Sequence, residues 1–447
     1  MFTVHLGLDD TDSKKGMCTT YLANLLVREI LSEGCEFIDY PNLIRLNPAI
    51  PWKTRGNGAI ALRFKCHDPE RIFQLACKLL KENSHFMLGA NPCLVLLEGS
   101  FIPYNLRKLA EEALYKVINF KRAKRLAEEL NLRVYTLRKG HGLIGAISAL
   151  GNTLQGDHTY ELMVYRKKEF FGKERRVDKL SVKLMDKETY PLTFNNYDYE
   201  KERVLITPRS PDPVLLGIRG ENPKILLKAF QLLKIEEEWD SYIIYRTNQG
   251  TNAHLKNHLD LSQLKAYTSG FVRGRLISNP RKIEGGHVLF EIKNEEGGIL
   301  CAVYEPTGSL NKIASKLLKG DEVELGGSVR KNTVRYPKTL NVEYIKIIKL
   351  ARLVRVQNPL CDTCNRRMKS LGKNQGFGCE KCKLRKFSRL EEELERDLKP
   401  GLYLPPPRAH RHLTKPLQRY NKRKLNQEFK LESWYFFREP IRKLFMK

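Results

Sequence analysis

A chain of 447 residues with 41% hydrophobic and 9% aromatic content can bury several cores, which excludes a disordered or low-complexity protein. Its 79 Lys and Arg against 51 Asp and Glu leave a net charge of +28, which points to a polyanionic partner and most directly to nucleic acid. No run of about 18 apolar residues occurs and no basic leader precedes the first strand, so neither a membrane span nor secretion is expected and the protein is expected to be cytoplasmic.

Val4 to Leu8 is apolar enough for a buried strand, and Asp9, Asp10 and Asp12 follow at its end. Carboxylates this close repel one another unless a cation sits among them. An oxygen-rich cluster at a strand end suits Mg2+, which keeps waters and is often shared with phosphates. Thr19 or Thr20 can then cap a helix in which Tyr21, Leu22, Leu25, Leu26 and Ile30 recur at helical spacing. A helix N-terminus attracts phosphate. The pattern predicts a Mg-nucleotide site with a threonine hydroxyl near the phosphates. The same residues also fit an ordinary acidic turn with threonine caps.

The next loop carries Lys53, Arg55, Gly56 and Gly58. Glycines let a backbone approach a ligand, and the two cations suit phosphate; a glycine turn with solvated cations fits equally. Residues 60–64 and 93–97 read as strands, 70–83 as a helix, and 105–129 as helical. Gly140, Gly142 and Gly145 have the GxGxxG spacing, but no acidic residue closes a second strand, so they are read as a turn against a helix rather than a dinucleotide fingerprint. Asp157 opens the next strand and is a candidate second metal ligand, base or simple turn residue. Residues 204–206 read as a buried strand. Residues 210–220, with Arg219, are expected as a rigid substrate-facing loop, and 223–235 as a core-facing helix. Residues 247–254 (TNQGTNAH) are rich in neutral hydrogen-bonding groups that can read a base edge or cap a guanidinium.

Beyond residue 269 short strands recur at 270–275, 287–292, 299–304, 322–329 and 340–349, with one helix at 310–318 between the third and fourth. That is the plan of an OB-fold, a barrel that binds single-stranded nucleic acid. Cys361, Cys364, Cys379 and Cys382 then form two CxxC pairs at the spacing of a structural zinc ribbon. Residues 408–447 mix twelve basic residues, against three acids, with Tyr420, Phe429, Trp434, Tyr435, Phe436, Phe437 and Phe445. Such a tail suits an RNA backbone and exposed bases, or packs on the body through 434–437. The expected fold class is therefore a multidomain α/β (α+β) catalytic region at 1–262, an OB-fold barrel at 263–352, a zinc ribbon at 353–386 and a basic RNA-binding tail at 387–447.

LDDTDS followed by GMCTTYL resembles the start of the archaeal tRNA-isoleucine 2-agmatinylcytidine synthetases. PWKTRGNGA, GNTLQGDHTYELMVYR, SPDPVLLGIRG, RTNQGTNAHL and RHLTKPLQR fit the same family, so the resemblance spans almost the whole chain. It implies kinase-like and ferredoxin-like subdomains within 1–262, whose partition the sequence does not place. It implies an ATP-dependent ligase that attaches agmatine to C2 of the cytidine at the first anticodon position (position 34) of the AUA-decoding isoleucine tRNA. In that family the cytidine oxygen is phosphorylated and agmatine then displaces phosphate.

Asp9, Asp10, Asp12 and Thr19 are then the catalytic candidates, Thr19 matching the family threonine that is itself phosphorylated. Lys53, Arg55, Gly56, Gly58, Asp157 and Arg219 are the candidates for binding ATP and Mg2+. Neither a Walker A loop nor an HRD/DFG set occurs, so ATP use has to run through the aspartates. The family pattern has aspartate where this chain has Asn252. The expected partners are the tRNA and agmatine, with no membrane and no obligatory protein partner. Two other readings stay open: a non-catalytic RNA-binding protein built on the OB-fold and ribbon, and an ATP-dependent enzyme acting at another RNA position.

Overall fold

A computed structural model describes residues 1–334, 336–422, 424 and 430–439. Phe429 and Phe445, named above among the tail aromatics, lie outside the described residues.

The part of the chain before the barrel is built on one continuous sheet. We number its strands β1 (Phe2–Asp9), β2 (Asn42–Arg45), β3 (Gly58–Cys66), β4 (Cys93–Glu98), β5 (Arg133–Thr136), β6 (Thr159–Arg166), β7 (Thr193–Phe194), β8 (Val214–Gly220) and β9 (Trp239–Thr247). Their order across the sheet is β5-β4-β1-β3-β2-β9-β6-β8-β7. Every pairing on this path is antiparallel except β2 with β9, where Arg246 and Thr247 meet Asn42 and Leu43 in parallel. That single parallel seam joins a half made from residues before 137 to a half made from residues after 158. A shared sheet leaves no linker between them, which is why composition could not place the partition.

Period-two alternation sorts the strands between two cores. Val4, Leu6, Leu8, Ile60, Leu62 and Phe64 face helices α1 (Thr19–Ser32) and α2 (Pro69–Asn83). Ala59, Ala61, Cys93 and Val95 face α3 (Tyr104–Glu112), α4 (Phe120–Glu129) and α5 (Leu143–Gly151). With both faces covered, the middle of β1 is buried throughout. Helix α6 (Lys179–Thr189) and α7 (Pro223–Gln231) cover the second half.

The OB-fold expectation is met in element order and closure. Strands β10 (Ser269–Leu276), β11 (Val288–Asn294), β12 (Gly297–Val303), β13 (Glu322–Arg330) and β14 (Thr339–Lys349) pair in the ring β10-β13-β14-β12-β11-β10, with α8 (Ser309–Ser315) between β12 and β13. Among the described residues no helix is long and apolar enough to cross a membrane.

Three local expectations need correction. Residues 214–220 are strand β8, fixed by its ladder to β6, so only 210–213 of that stretch is loop. Residues 203–204 form a half-buried two-residue strand rather than a buried one. Helix α1 is capped by Cys18 with no side-chain hydrogen bond, and Thr19 is its first residue, not its cap.

The tail follows the second of its two readings and packs on the body. Leu390–Leu394 pairs with Leu353–Gln357 beside the cysteine knuckles, and Gly401–Tyr403 pairs with β14. The chain then returns to the catalytic sheet. The Gly250 and Asn252 amides donate to the His412 and Leu413 carbonyls (2.9 and 2.8 Å), and Tyr435–Phe437 pairs with β9. Leu413, Trp434 and Phe437 are buried. The described tail is a strap whose apolar side chains complete the cores of the sheet.

Candidate active site

A cavity of about 830 Å3 opens beside the seam of the sheet. Asp9, Asp10, Asp12, Thr19, Lys53, Arg55, Gly56, Gly58 and Arg219 all line it. Residues from separated stretches of the chain therefore meet in one place. Asp157 does not join them. It lies under the strap, bonded by Arg419 Nη2 and Lys415 Nζ (each 2.9 Å). Paired with two cations and 7% exposed, it anchors the strap in this structure, apart from the cavity.

Asp10 and Met17 bracket the acidic turn with positive φ values of 55° and 59°, a conformation uncommon outside glycine and concentrated at functional sites. The repulsion among the acids is relieved in three ways. Asp9 sits beneath α5, where a Cβ on Gly145 would fall 1.8 Å from its Oδ2, so only glycine admits that carboxyl. Burial and the neighbouring Asp10 charge push the Asp9 carboxyl well above its ordinary value. Burial pushes Asp10 up to about 6, against the Asn91 amide that donates to its Oδ2 at 3.2 Å. Asp12 is paired: Arg55 Nε donates to its Oδ2 at 2.6 Å. The cation among the acids is thus Arg55, as the sequence required of some group.

Arg55 also donates to Asp212 Oδ2 at 2.9 Å, to Ser210 Oγ at 3.2 Å, and to the Met17 carbonyl. It ties the acidic turn to the 210–213 loop across the cleft. Thr19 is 5% exposed and lines the cleft, and its Oγ1 accepts from Thr11 Oγ1 at 3.1 Å. Lys53 was expected to clamp phosphate. Its Nζ instead donates to the Pro48 and Ile50 carbonyls of its own loop, at 2.7 and 3.0 Å.

The glycines at 56 and 58, besides lining the cavity, leave room for two side chains. A Cβ on Gly56 would lie 2.7 Å from Arg45 Nη1 and 2.9 Å from His412 Nε2, and one on Gly58 would lie 2.8 Å from Arg45 Nη1. They make room for Arg45 and His412. Deeper in, Arg219 Nε donates to Glu161 Oε1 at 3.0 Å, Gln249 Nε2 donates to Glu161 Oε2, and Arg219 Nη2 lies 3.1 Å from His412 Nδ1. Burial, then the charges of Arg45 and Arg219, hold the His412 imidazole well below its ordinary pKa, so the ring is neutral; its Nδ1 also lies 3.0 Å from Gln249 Oε1, and the tautomer sets which of the two neighbours it bonds.

The amides of 247–254 are spent inside the protein. Asn248 accepts from the Arg45 amide at 2.8 Å and donates to its carbonyl at 2.9 Å. Asn252 holds φ at 53°, accepts from the Lys415 amide at 2.7 Å and donates to Tyr420 Oη at 3.0 Å. A carboxylate could not make that donation, so asparagine suits this strap.

Sequence reasoning missed Arg45, Glu161, Asp212, His412 and Gln249 as site residues. Each lies in or beside a stretch already noted for polar or glycine-rich composition, but only folding shows which of those side chains turn inward.

In the ribbon, Cys361, Cys364, Cys379 and Cys382 place their sulfur atoms within 4.8 Å of one another. The Cys364 and Thr363 amides pull the Cys361 thiol down to about 6. Four converging thiols with amide donors fit a tetrahedral metal with no open position.

An acid- and guanidinium-lined cleft, an OB-fold barrel and a four-cysteine knuckle together define an enzyme core carried with nucleic-acid-binding modules. Models of the TiaS TCKD domain, the TiaS FLD domain and the TiaS C-terminal zinc ribbon domain match residues 5–81, 140–254 and 358–398. The chain is 42% identical to TiaS, the isoleucine-tRNA 2-agmatinylcytidine synthetase, of Cenarchaeum symbiosum, over 93% of this chain and 92% of that protein. It is 42% identical to the protein of that name from Staphylothermus marinus, over 97% and 98%. The chain belongs to the isoleucine-tRNA 2-agmatinylcytidine synthetase (TiaS) family. Among solved structures it is similar to a complex of TiaS with its isoleucine tRNA and ATP (40% identity, TM-score 0.86). It is also similar to one with that tRNA, AMPCPP and agmatine (38%, 0.84), each over 94% of this chain and 98% of the other.

Proposed function

We propose that this chain is the ATP-dependent ligase that attaches agmatine to C2 of the cytidine at the first anticodon position of the AUA-decoding isoleucine tRNA, in the cytoplasm. The observation that carries the reading is the cleft itself. It gathers the aspartates, the Thr19 hydroxyl and three guanidiniums around one cavity of about 830 Å3. The solved relatives with tRNA, nucleotide and agmatine bound support the same reaction.

A pyrimidine carbonyl oxygen is a poor leaving group. In the first step the cytidine oxygen forms a bond to phosphorus. The bond from that phosphorus to the bridging oxygen of the nucleotide breaks, and the bridging oxygen keeps the electron pair. In the second step the agmatine nitrogen bonds to C2, the C2–O bond breaks, phosphate leaves with the electron pair, and the amine proton passes to solvent. Such chemistry is governed by positioning and charge stabilisation. Asp9, Asp10 and Asp12 are the residues that would hold Mg2+, which when bound neutralises phosphate charge. Arg55 and Arg219 orient the cleft walls, and Thr19 presents a hydroxyl. The OB-fold and the ribbon grip the tRNA.

The test is mass spectrometry of digested isoleucine tRNA after incubation with ATP, Mg2+ and agmatine. The expected product is the agmatine-modified cytidine. An unmodified base from folded, metal-replete protein would rule the reaction out, and modification of a different nucleotide would transfer the activity to another position.

We further propose that the cysteine tetrad binds one structural zinc. Cys361→Ser should release the metal and unfold the ribbon, because binding free energy at such sites is folding free energy. Elemental analysis would check this, and a metal-free wild-type protein with four reactive thiols would refute it.

A further inference from the structure

Three guanidiniums line the cleft, those of Arg45, Arg55 and Arg219. Two have carboxylate partners: Arg55 holds Asp12 and Asp212, and Arg219 holds Glu161. Arg45 differs. Asn248 fixes its backbone from both sides. Its guanidinium makes no hydrogen bond or ion pair among the described residues, and its Nε is buried without an acceptor.

The fold nevertheless makes room for this side chain, since glycines at 56 and 58 leave the space its Nη1 occupies. Its electrostatic surroundings do not match it. Burial opposes its charge. Glu161 favours the charge but is already bonded to Arg219 and Gln249, while Arg219 and Arg55 repel it. A partly buried cation with no carboxylate bonded to it costs folding free energy. An accommodated but unmatched guanidinium inside a substrate cavity is the arrangement expected where an anion completes the site.

We infer that Arg45 receives the phosphoryl oxyanion during transfer, the role expected of Lys53, and that it is a catalytic residue of the reaction proposed above, on which this inference rests. The planar fork of arginine bonds two phosphate oxygens at once, which an ammonium cannot do. The transferred group is first part of the nucleotide and then part of the cytidine. Its oxygens bear the charge in both settings, so the chemistry that Arg45 recognises is shared.

The experiment uses full-length Arg45→Met and Arg45→Lys proteins, ATP labelled in its phosphoryl groups, the isoleucine tRNA, and agmatine present or absent. Arg45→Met should lower agmatine incorporation by about 100-fold or more, the scale of losing one preorganised charge at a transition state. Arg45→Lys should recover roughly tenfold of that loss, because charge returns without the bidentate geometry. tRNA affinity should stay within about twofold, since no base or backbone contact is assigned to this side chain. Loss of label transfer to tRNA without agmatine would place the contact on the nucleotide's phosphoryl group. Labelled tRNA that accumulates and reacts slowly with agmatine would place it on the cytidine phosphate.

A purely structural role makes the opposite stability prediction. Removing an unmatched cation should leave the melting midpoint of Arg45→Met unchanged or raised, whereas removing a structural guanidinium lowers it. Incorporation by Arg45→Met within about threefold of wild type, or a lowered midpoint that Arg45→Lys restores along with full activity, would overturn the assignment. If Arg45→Met does not fold, Arg45→Lys alone decides: it should lose at least about fivefold in rate at an unchanged midpoint, and full activity would overturn the assignment. Calorimetric titration with inorganic pyrophosphate separates this inference from the reaction on which it rests. Arg45→Met should bind pyrophosphate about tenfold more weakly than wild type even if wild type modifies no tRNA, and equal binding would overturn the assignment.

Discussion

Arg419→Ala is expected to destabilise the catalytic region by about 3 kcal/mol and to abolish modification in whatever protein is recovered, because it removes one of the two cations from each of two buried carboxylates and empties a fully buried site. Arg419 is fully buried. Its Nε donates to Glu221 at 2.7 Å, its Nη2 donates to Asp157 at 2.9 Å, and its Nη1 donates to the Gly250 carbonyl. One side chain thereby fastens the strap to the start of β6, to the end of β8 and to the loop after β9. The strap in turn delivers His412 to Arg219. A break at residue 419 should therefore reach the cleft through the backbone pairing of His412 and Leu413 with Gly250 and Asn252. The measurements are a melting curve and a modification assay at matched protein concentration. An unchanged midpoint with weakened, less salt-dependent tRNA binding would mean instead that Arg419 serves as a phosphate contact.

The same cluster sets a pH signature. Burial alone would raise the Asp157 and Glu221 carboxyls, but the charge of Arg419 and the bonds from its neighbouring lysines outweigh it, and both are held below their ordinary values. Stability from such groups is fully present above the ordinary carboxylate range and is lost as pH falls through the lowered values. Wild type should lose its midpoint advantage over Arg419→Ala below about pH 4.

The residues that could be read from sequence are those whose chemistry is local. Asp9, Asp10, Asp12 and Thr19 lie in one strand–turn–helix, so their spacing already places them together. The four cysteines carry their own geometry, and the barrel strands carry the period of two. What could not be read is which distant polar groups would pair. Asp212 meets Arg55 across 157 positions, and His412 meets Arg219 across 193. Lys53 and Arg45 show the limit most clearly. Both are cations near the glycine loop, and nothing local says that Lys53 folds back onto carbonyls while Arg45 points inward. The tail shows a related limit. Net charge predicts an attraction to polyanions, but Arg408, Lys415, Arg419 and Lys424 find their acids on the protein itself, at Asp198, Asp157 and Glu221.

Asp10→Asn should lower modification by about 1,000-fold while raising the melting midpoint at about pH 8, a trade of stability against function. The Asp10 carboxyl is pushed up to about 6, chiefly by burial. Between the ordinary carboxylate value and about 6, the folded protein binds a proton that the unfolded chain has released, so stability falls as pH rises through that window. Above it the full penalty of a buried, repelled carboxylate is present. Asparagine carries no charge there, and its carbonyl can still accept from the Asn91 amide that donates to Asp10 Oδ2. The gain in midpoint should accordingly be large at about pH 8 and small at about pH 4, where Asp10 is already neutral. The loss of activity has the opposite origin. A neutral amide is a weak ligand for a hard divalent cation, and the proposed site depends on carboxylates for it. Melting curves at the two pH values, set beside mass spectrometry of the tRNA product, measure both effects on one protein. A midpoint that drops at about pH 8 would show that the Asp10 charge is satisfied in the free enzyme, and retained activity would remove Asp10 from the catalytic set.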